Sequence, residues 1–144
     1  MGFYFRVHHD IRLVYKKVWG TYGDVESVAS HEEWDALCAA HPEIGDYNEF
    51  QDLTQVTRYG VSLEQIRVLA DRHEREWESG QHQPKQLCYV VPSPLAFGTG
   101  RVYGSLMAMT GFNLRVFNSM EEAADWLGLS AQVRDRIVEV VGDQ

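Results

Sequence analysis

Residues 89–104, YVVPSPLAFGTGRVYG, join a short apolar run to three glycines, and the role of these glycines decides the fold. A dinucleotide-binding loop places G-x-G-x-x-G directly after a strand, where backbone amides at a helix start contact a pyrophosphate. Here Gly98, Gly100 and Gly104 follow the spacing G-x-G-x-x-x-G and begin well after the apolar run ends. The spacing therefore favours glycines that permit close packing over a phosphate loop.

The residues before these glycines place them inside a helix. Ser93 followed by Pro94 is typical of an N-cap with proline at the first helical position. A glycine inside a helix costs about 1 kcal/mol relative to alanine, so three of them indicate a close approach to a sheet, a partner helix or a ligand. A Walker loop does not fit either, because no Gly-Lys-Ser/Thr follows.

Strand and helix patterns alternate along the rest of the chain. Runs rich in β-branched and aromatic residues predict strands at FYFRV, residues 11–22, NEFQDLTQV, QLCYVV and FNLRVF. Ser30, Ser62 and Ser119 are each followed three residues later by Glu or Gln, a capping box that predicts a helix start, and Ser130 predicts a last helix. This order predicts one α/β domain over residues 1–144, with helices covering a mixed β-sheet.

Composition limits the classes of partner. The chain has 13 Lys and Arg against 21 Asp and Glu, a net charge of −8, which disfavours nucleic acid. The one local cluster of basic residues comprises Arg12, Lys16 and Lys17, and we expect it on a solvated strand edge. No run approaches the roughly 20 apolar residues of a membrane span, so we expect a cytoplasmic protein without stable membrane insertion. Cys38 and Cys88 are predicted to be buried free thiols.

Two stretches resemble a known family. Residues 94–129, PLAFGTGRVYGSLMAMTGFNLRVFNSMEEAADWLGL, resemble the C-terminal half of the SpoIIAA-like branch of the STAS superfamily, and residues 49–73 resemble its strand, Asp-Leu turn and helix. The residues that carry the first match are Phe97, Gly98, Arg101, Val116, Phe117, Glu122, Ala123, Trp126 and Leu127. The resemblance implies a single SpoIIAA-like (STAS-type) domain, similar to STAS and Sec14-like lipid-binding folds.

The resemblance also implies a function. STAS proteins of the anti-anti-sigma type dock on a partner kinase, which phosphorylates a serine just before a helix. Their pattern DLS-x-V-x-x-x-DSSG, aligned from Asp52, places Val61 at the phosphoacceptor serine and Ser62 at the next serine, so the acceptor is missing. We expect Ser62 to cap its helix, with phosphorylation as the alternative. The resemblance thus implies a regulatory domain that binds a protein partner through a surface containing Thr54, Thr57 and Ser62, and that forms a homodimer.

The alternative function is Sec14-like binding of a small lipophilic or amphiphilic ligand. It predicts an enclosed apolar pocket beside residues 95–109, with Phe97, Gly98, Arg101 and Tyr103 as candidate ligand contacts. Arg101 would receive an anionic head group there, whereas the competing interpretation is a surface ion pair. The aromatic residues are equally typical of an ordinary core.

Titratable residues form no catalytic pattern in the sequence. The HHD triplet at residues 8–10 lacks metal-ligand spacing, His73 lies on the apolar stripe of a predicted helix, and His82 lies in a predicted loop. Asp46, Glu49 and Asp52 flank a predicted strand start, but nothing in the sequence shows that they share a site or bind a metal. The sequence therefore predicts a protein that is not an enzyme and has no catalytic residues, metal or cofactor.

Overall fold

The computed structural model describes residues 2–84, 86–92 and 113–142, with side chains up to Ile137 in the last helix. The strands are β1 (Gly2–His8), β2 (Leu13–Gly23), β3 (Asn48–Gly60), β4 (Leu87–Val90) and β5 (Leu114–Phe117). The helices are α1 (Asp24–Ala40), α2 (Leu63–Glu78), α3 (Met120–Trp126) and α4 (Ala131–Gly142), with short 3₁₀ turns at His9–Ile11 and Pro42–Asp46. The predicted glycine-containing helix and the candidate contacts Phe97, Gly98, Arg101 and Tyr103 lie outside the described residues.

The five described strands form one mixed sheet in the order β1-β2-β3-β4-β5. The hairpin of β1 and β2 is antiparallel, with Phe3 opposite Val18. The other pairs are parallel, with Leu13 opposite Asn48 and Phe50 opposite Cys88. Parallel neighbours need a crossover connection, which α1 supplies between β2 and β3 and α2 supplies between β3 and β4. The predicted α/β architecture with a mixed sheet is confirmed.

Helices pack on both faces of this sheet, because successive strand residues point to opposite sides. On one face Val14 packs against Trp34 of α1, and Leu87 packs against Ile66 of α2. On the other face Tyr15, Phe50 and Val90 pack against α3 and α4 through Ala123, Ala124 and Ile137. Among the described helices, none has the length and apolar character needed to cross a bilayer.

Among the described residues, three of the four predicted serine caps are confirmed, and the predicted cap at Ser93 lies outside those residues. The hydroxyl of Ser62 accepts from the amide of Gln65 at 3.1 Å, and Ser119 and Ser130 accept in the same way from residues three positions later. These contacts satisfy amides that have no partner inside the helix. Each described helix with such a cap therefore begins where its sequence predicts.

The predicted helix start at Ser30 is wrong. Helix α1 begins at Asp24, whose acidic side chain lies in the first turn, where the helix dipole favours negative charge. Ser30 is fully buried in mid-helix, and its hydroxyl donates to the carbonyl of Ser27 at 3.1 Å. The pattern of a serine followed by a glutamate three residues later therefore also occurs inside a helix. Here the Ser30 hydroxyl accepts from Lys16 of β2 and does not cap a helix start.

Candidate functional site

An apolar crevice lies between the sheet and the helices α1 and α2. Its empty volume is about 560 Å³, part of it open to solvent. The apolar walls are formed by Val18, Leu53, Val61, Ile66, Leu69 and Val91. We call this cavity the apolar crevice.

The crevice is located at the carboxyl ends of the parallel strands. Tyr22 lies near the end of β2, Tyr59 lies near the end of β3, and Val91 directly follows β4. The rings of Tyr22 and Tyr59 stack with centroids 6.0 Å apart. Ligands of open α/β sheets bind outside the carboxyl ends of the strands, so this is the edge at which the architecture favours a site.

Three polar side chains line one part of the crevice: Ser27, His31 and Gln51. The Nδ1 atom of His31 donates to the carbonyl oxygen of Ser27 at 2.9 Å. Burial, together with the nearby Lys16, lowers the pKa of His31 to about 4, so its ring is neutral at neutral pH. The crevice therefore combines apolar walls with a few uncharged hydrogen-bonding groups.

A group of titratable side chains is buried on the same face of the sheet. We call it the histidine–carboxylate cluster, and it comprises His73 and Glu76 of α2, His82 of the following loop and Glu49 of β3. The Nδ1 atoms of His73 and His82 are 3.3 Å apart, and Glu76 Oε2 lies 3.3 Å from His82 Nδ1. His82 Nε2 contacts Glu49 Oε2. His82 is 1% exposed and His73 is 5% exposed, so these contacts are shielded from water.

Backbone contacts fix the loop that carries His82. The amide of His82 donates to the carbonyl of Glu76 at 3.2 Å, and the amide of Gln83 donates to the carbonyl of Gly45 at 2.8 Å. A Cβ atom on Gly45 would lie 2.5 Å from the carbonyl oxygen of Gln81. Glycine at this position therefore permits the close approach that places His82 in the cluster.

The cluster strongly shifts the ionisation of its members. Burial alone would lower the pKa of His82, but the carboxylates of Glu49 and Glu76 raise it to about 9. Burial opposes ionisation of Glu76, but hydrogen bonds from His82 and Arg72 outweigh it and lower the Glu76 pKa to about 2. Burial, together with His82 and His31, holds the pKa of His73 well below its usual range.

A second cavity, with an empty volume of about 270 Å³, adjoins the cluster and shares His31 and Gln51 with the apolar crevice. Lys16 lines it and is 5% exposed, which contradicts the expected solvated edge. The reason is that β2 is an inner strand of the sheet and Lys16 points toward α1. Its ammonium donates to Ser30 Oγ at 2.9 Å and lies 5.5 Å from the ring centroid of Phe5.

The predicted partner surface consists of three hydroxyls with different environments. Thr54 Oγ1 donates to Asp52 Oδ1 at 2.6 Å and is half-buried, whereas Thr57 is exposed. Ser62 Oγ donates to Asp24 Oδ2 at 2.8 Å in addition to capping α2. The structure thus confirms Ser62 as an N-cap, and it engages the hydroxyls of Thr54 and Ser62 in contacts within the chain.

Sequence reasoning missed the histidine–carboxylate cluster. His73 and Glu76 are three residues apart on one helix, a spacing that places both side chains on the same face. That signal was available in the sequence. The approach of His82 and Glu49 was not, because it depends on how the loop folds back against β3.

Comparison with known proteins identifies the fold. The chain matches no family model and no curated protein. Its structure is similar to the crystal structure of an uncharacterised protein from the DUF3478 family, with a SpoIIAA-like fold, from Shewanella loihica PV-4. The TM-score is 0.55 at 18% sequence identity, and the match covers 88% of this chain and 92% of that chain. The chain therefore has the SpoIIAA-like fold that its sequence resemblance predicts.

Proposed function

We propose that this protein is a non-enzymatic binding domain whose apolar crevice takes a small amphiphilic molecule. The crevice itself is the observation that carries the proposal. Its walls are mostly apolar with a few polar side chains, which is the composition typical of small-molecule sites. The proposal retains the small-ligand function considered from the sequence and bases it on residues of α1, α2 and β2–β4.

The composition of the crevice indicates the chemistry of the ligand. Each methylene group that moves from water to the apolar walls contributes about 0.8 kcal/mol, so an alkyl or ring body supplies most of the affinity. Gln51, Ser27 and the neutral ring of His31 offer hydrogen bonds to a polar head group. We therefore expect an apolar body with an uncharged polar group at one end.

The thiols support a binding role over a catalytic one. Burial raises the pKa of Cys88 well above its usual range and raises the pKa of Cys38 to about 12. Because the thiolate is the nucleophile, neither described cysteine is activated at neutral pH. In the crevice, His31 Nδ1 donates to the carbonyl oxygen of Ser27, and Ser27 Oγ accepts from Gln65 Nε2, which differs from a hydroxyl–histidine–carboxylate arrangement.

Native mass spectrometry tests the proposal. The protein is purified from its own host, and its mass is compared under gentle and denaturing conditions to detect a released small molecule. Val61→Trp places bulk inside the crevice and should reduce the occupancy, whereas Leu63→Trp adds the same bulk at a 62% exposed position and should not. A protein without bound ligand that also fails to bind apolar fluorescent probes would contradict the proposal.

A second candidate function, binding a protein partner, is favoured by exposed apolar side chains. Val25 and Val28 on the first turns of α1 are 78% and 46% exposed, and Leu63 at the start of α2 is 62% exposed. The hydrogen bonds between Asp24 and Ser62 join these two helix starts. A contiguous exposed apolar patch marks an interaction site, and these three side chains are the candidate patch. The partner that we propose is a second copy of the chain, which gives the homodimer expected from the family resemblance.

Light scattering coupled to size-exclusion chromatography tests this second candidate. The wild-type protein should elute with the mass of a dimer, and Leu63→Asp should shift it toward the monomer. Ala39→Asp places the same charge at an exposed position near the other end of α1 and should leave the dimer intact. A monomeric wild-type protein at high concentration would refute the homodimer.

A further inference from the structure

We propose that His73, Glu76 and His82 bind a divalent transition-metal ion of the zinc class. One ligand atom from each residue, an imidazole nitrogen or a carboxylate oxygen, lies within 4.8 Å of the others. Two imidazoles and one carboxylate suit zinc, cobalt or nickel, whereas magnesium and calcium prefer an all-oxygen set. This site is separate from the ligand function proposed for the apolar crevice.

Two of the three distances between the ligand atoms match the edges of a coordination tetrahedron. Two nitrogens bound about 2.0–2.1 Å from one tetrahedral ion lie about 3.3–3.4 Å apart. The Nδ1 atoms of His73 and His82 are 3.3 Å apart, and His82 Nδ1 is 3.3 Å from Glu76 Oε2. Because the ligand atoms of His73 and Glu76 are also within 4.8 Å of each other, the side chains need to move by no more than about 1.5 Å to contact one ion.

Outer contacts orient two of the ligands for metal binding. Glu49 Oε2 accepts from His82 Nε2, which directs the Nδ1 atom of the same ring toward the site. Arg72 Nε donates to Glu76 Oε1 at 2.8 Å, which leaves Oε2 as the oxygen nearest His82. Metal-bound histidines are commonly held by a carboxylate on their second nitrogen, and bound carboxylates are themselves hydrogen-bonded.

The fold also holds the ligands in place. His73 and Glu76 belong to a helix fixed by the Ser62 cap, and His82 lies on the loop that packs against Gly45. The adjoining cavity of about 270 Å³ has room for water as a further ligand. When the ion binds, it takes the place of a proton on His82 Nδ1, and that proton passes to solvent.

Cobalt titration of the tag-free, chelator-treated chain tests the proposal. We expect one Co²⁺ per chain with the visible absorption of a tetrahedral site, and displacement of the cobalt by Zn²⁺. Glu49→Gln should weaken binding by about 10–100-fold, because it removes the negative charge of an outer contact and no ligand. His82→Ala and Glu76→Gln remove ligands and should weaken binding at least as much.

His41→Ala is the matched control, because it removes a half-exposed histidine outside the cluster and should leave the affinity unchanged. Circular dichroism confirms that each variant is folded, and Glu76→Gln keeps the shape of its side chain if His82→Ala proves unstable. Failure of the wild-type chain to bind Co²⁺ or Zn²⁺ overturns the proposal and leaves the cluster as an ion-pair network. Binding that persists unchanged in Glu76→Gln and His82→Ala also overturns it.

Discussion

Tyr15→Phe removes one of the hydrogen bonds that hold the buried carboxylate of Asp52. Tyr15 is fully buried and Asp52 is 3% exposed. The Tyr15 hydroxyl donates to Asp52 Oδ2 at 2.6 Å, whereas the amide and hydroxyl of Thr54 both donate to Oδ1. Within the described residues, Tyr15 is thus the donor that serves Oδ2, and the substitution leaves that oxygen buried without it.

The structure gives the size of the expected effect. Burial and the neighbouring Asp52 raise the pKa of Tyr15 well above its usual range, so the phenol is a proton donor at neutral pH. A hydrogen bond to a charged group contributes about 1.5–3 kcal/mol, and phenylalanine adds no bulk, so we expect the free energy of unfolding to fall by about 2–3 kcal/mol. Urea unfolding followed by tryptophan fluorescence should show a lower midpoint with an unchanged m value.

Two further variants separate this hydrogen bond from general effects of losing a hydroxyl. Tyr47→Phe removes a contact of 3.0 Å to the exposed His9 and should cost about 0.5–1.5 kcal/mol. Asp52→Asn combined with Tyr15→Phe should cost less than the sum of the single variants, because the two groups interact directly. A cost for Tyr15→Phe below about 0.5 kcal/mol, the range of surface substitutions, would refute the reasoning.

Three other predictions concern the loop, the cap and a thiol. Gly45→Ala should destabilise the protein by about 1–3 kcal/mol, because its Cβ atom would lie 2.5 Å from the Gln81 carbonyl oxygen. Gly60→Ala is the control, since a Cβ atom there has nothing within 4 Å, and thermal unfolding should show no such loss for it. Ser62→Ala should cost about 1 kcal/mol of unfolding free energy in urea, and a neutral result would contradict its role as an N-cap. Cys88 should react with a thiol reagent at neutral pH after unfolding but not before, since it is fully buried; rapid labelling of the native protein would disprove this.

Local sequence signals predicted most described elements because their causes lie within a few residues. A serine hydroxyl reaches the amide three positions later, so the pattern at Ser62 or Ser119 marks a helix start wherever the chain folds. The same pattern failed at Ser30, whose hydroxyl contacts Lys16 and the carbonyl of Ser27 inside α1. The two cases differ in tertiary contacts, which local spacing does not contain.

The crevice and the cluster were less accessible to sequence reasoning. Each combines side chains from several elements, as when His82 of a loop meets Glu49 of a strand, 33 residues earlier. A histidine in a loop is normally solvated, and its burial here depends on the close packing of Gly45 against the loop. The crevice depends likewise on how α1 and α2 approach the strand ends.

The sequence by itself determined the α/β class and the mixed sheet, because periodicity, caps and strand composition act along the chain. Its resemblance to the SpoIIAA-like family indicated the SpoIIAA-like fold. The tertiary structure decided which polar residues are buried together. Lys16 became a buried cation because β2 is an inner strand, and His73 joined Glu76 and His82 because the chain returns to α2. Burial then made their charges dependent on one another, which is the physical reason that the candidate sites appear only in three dimensions.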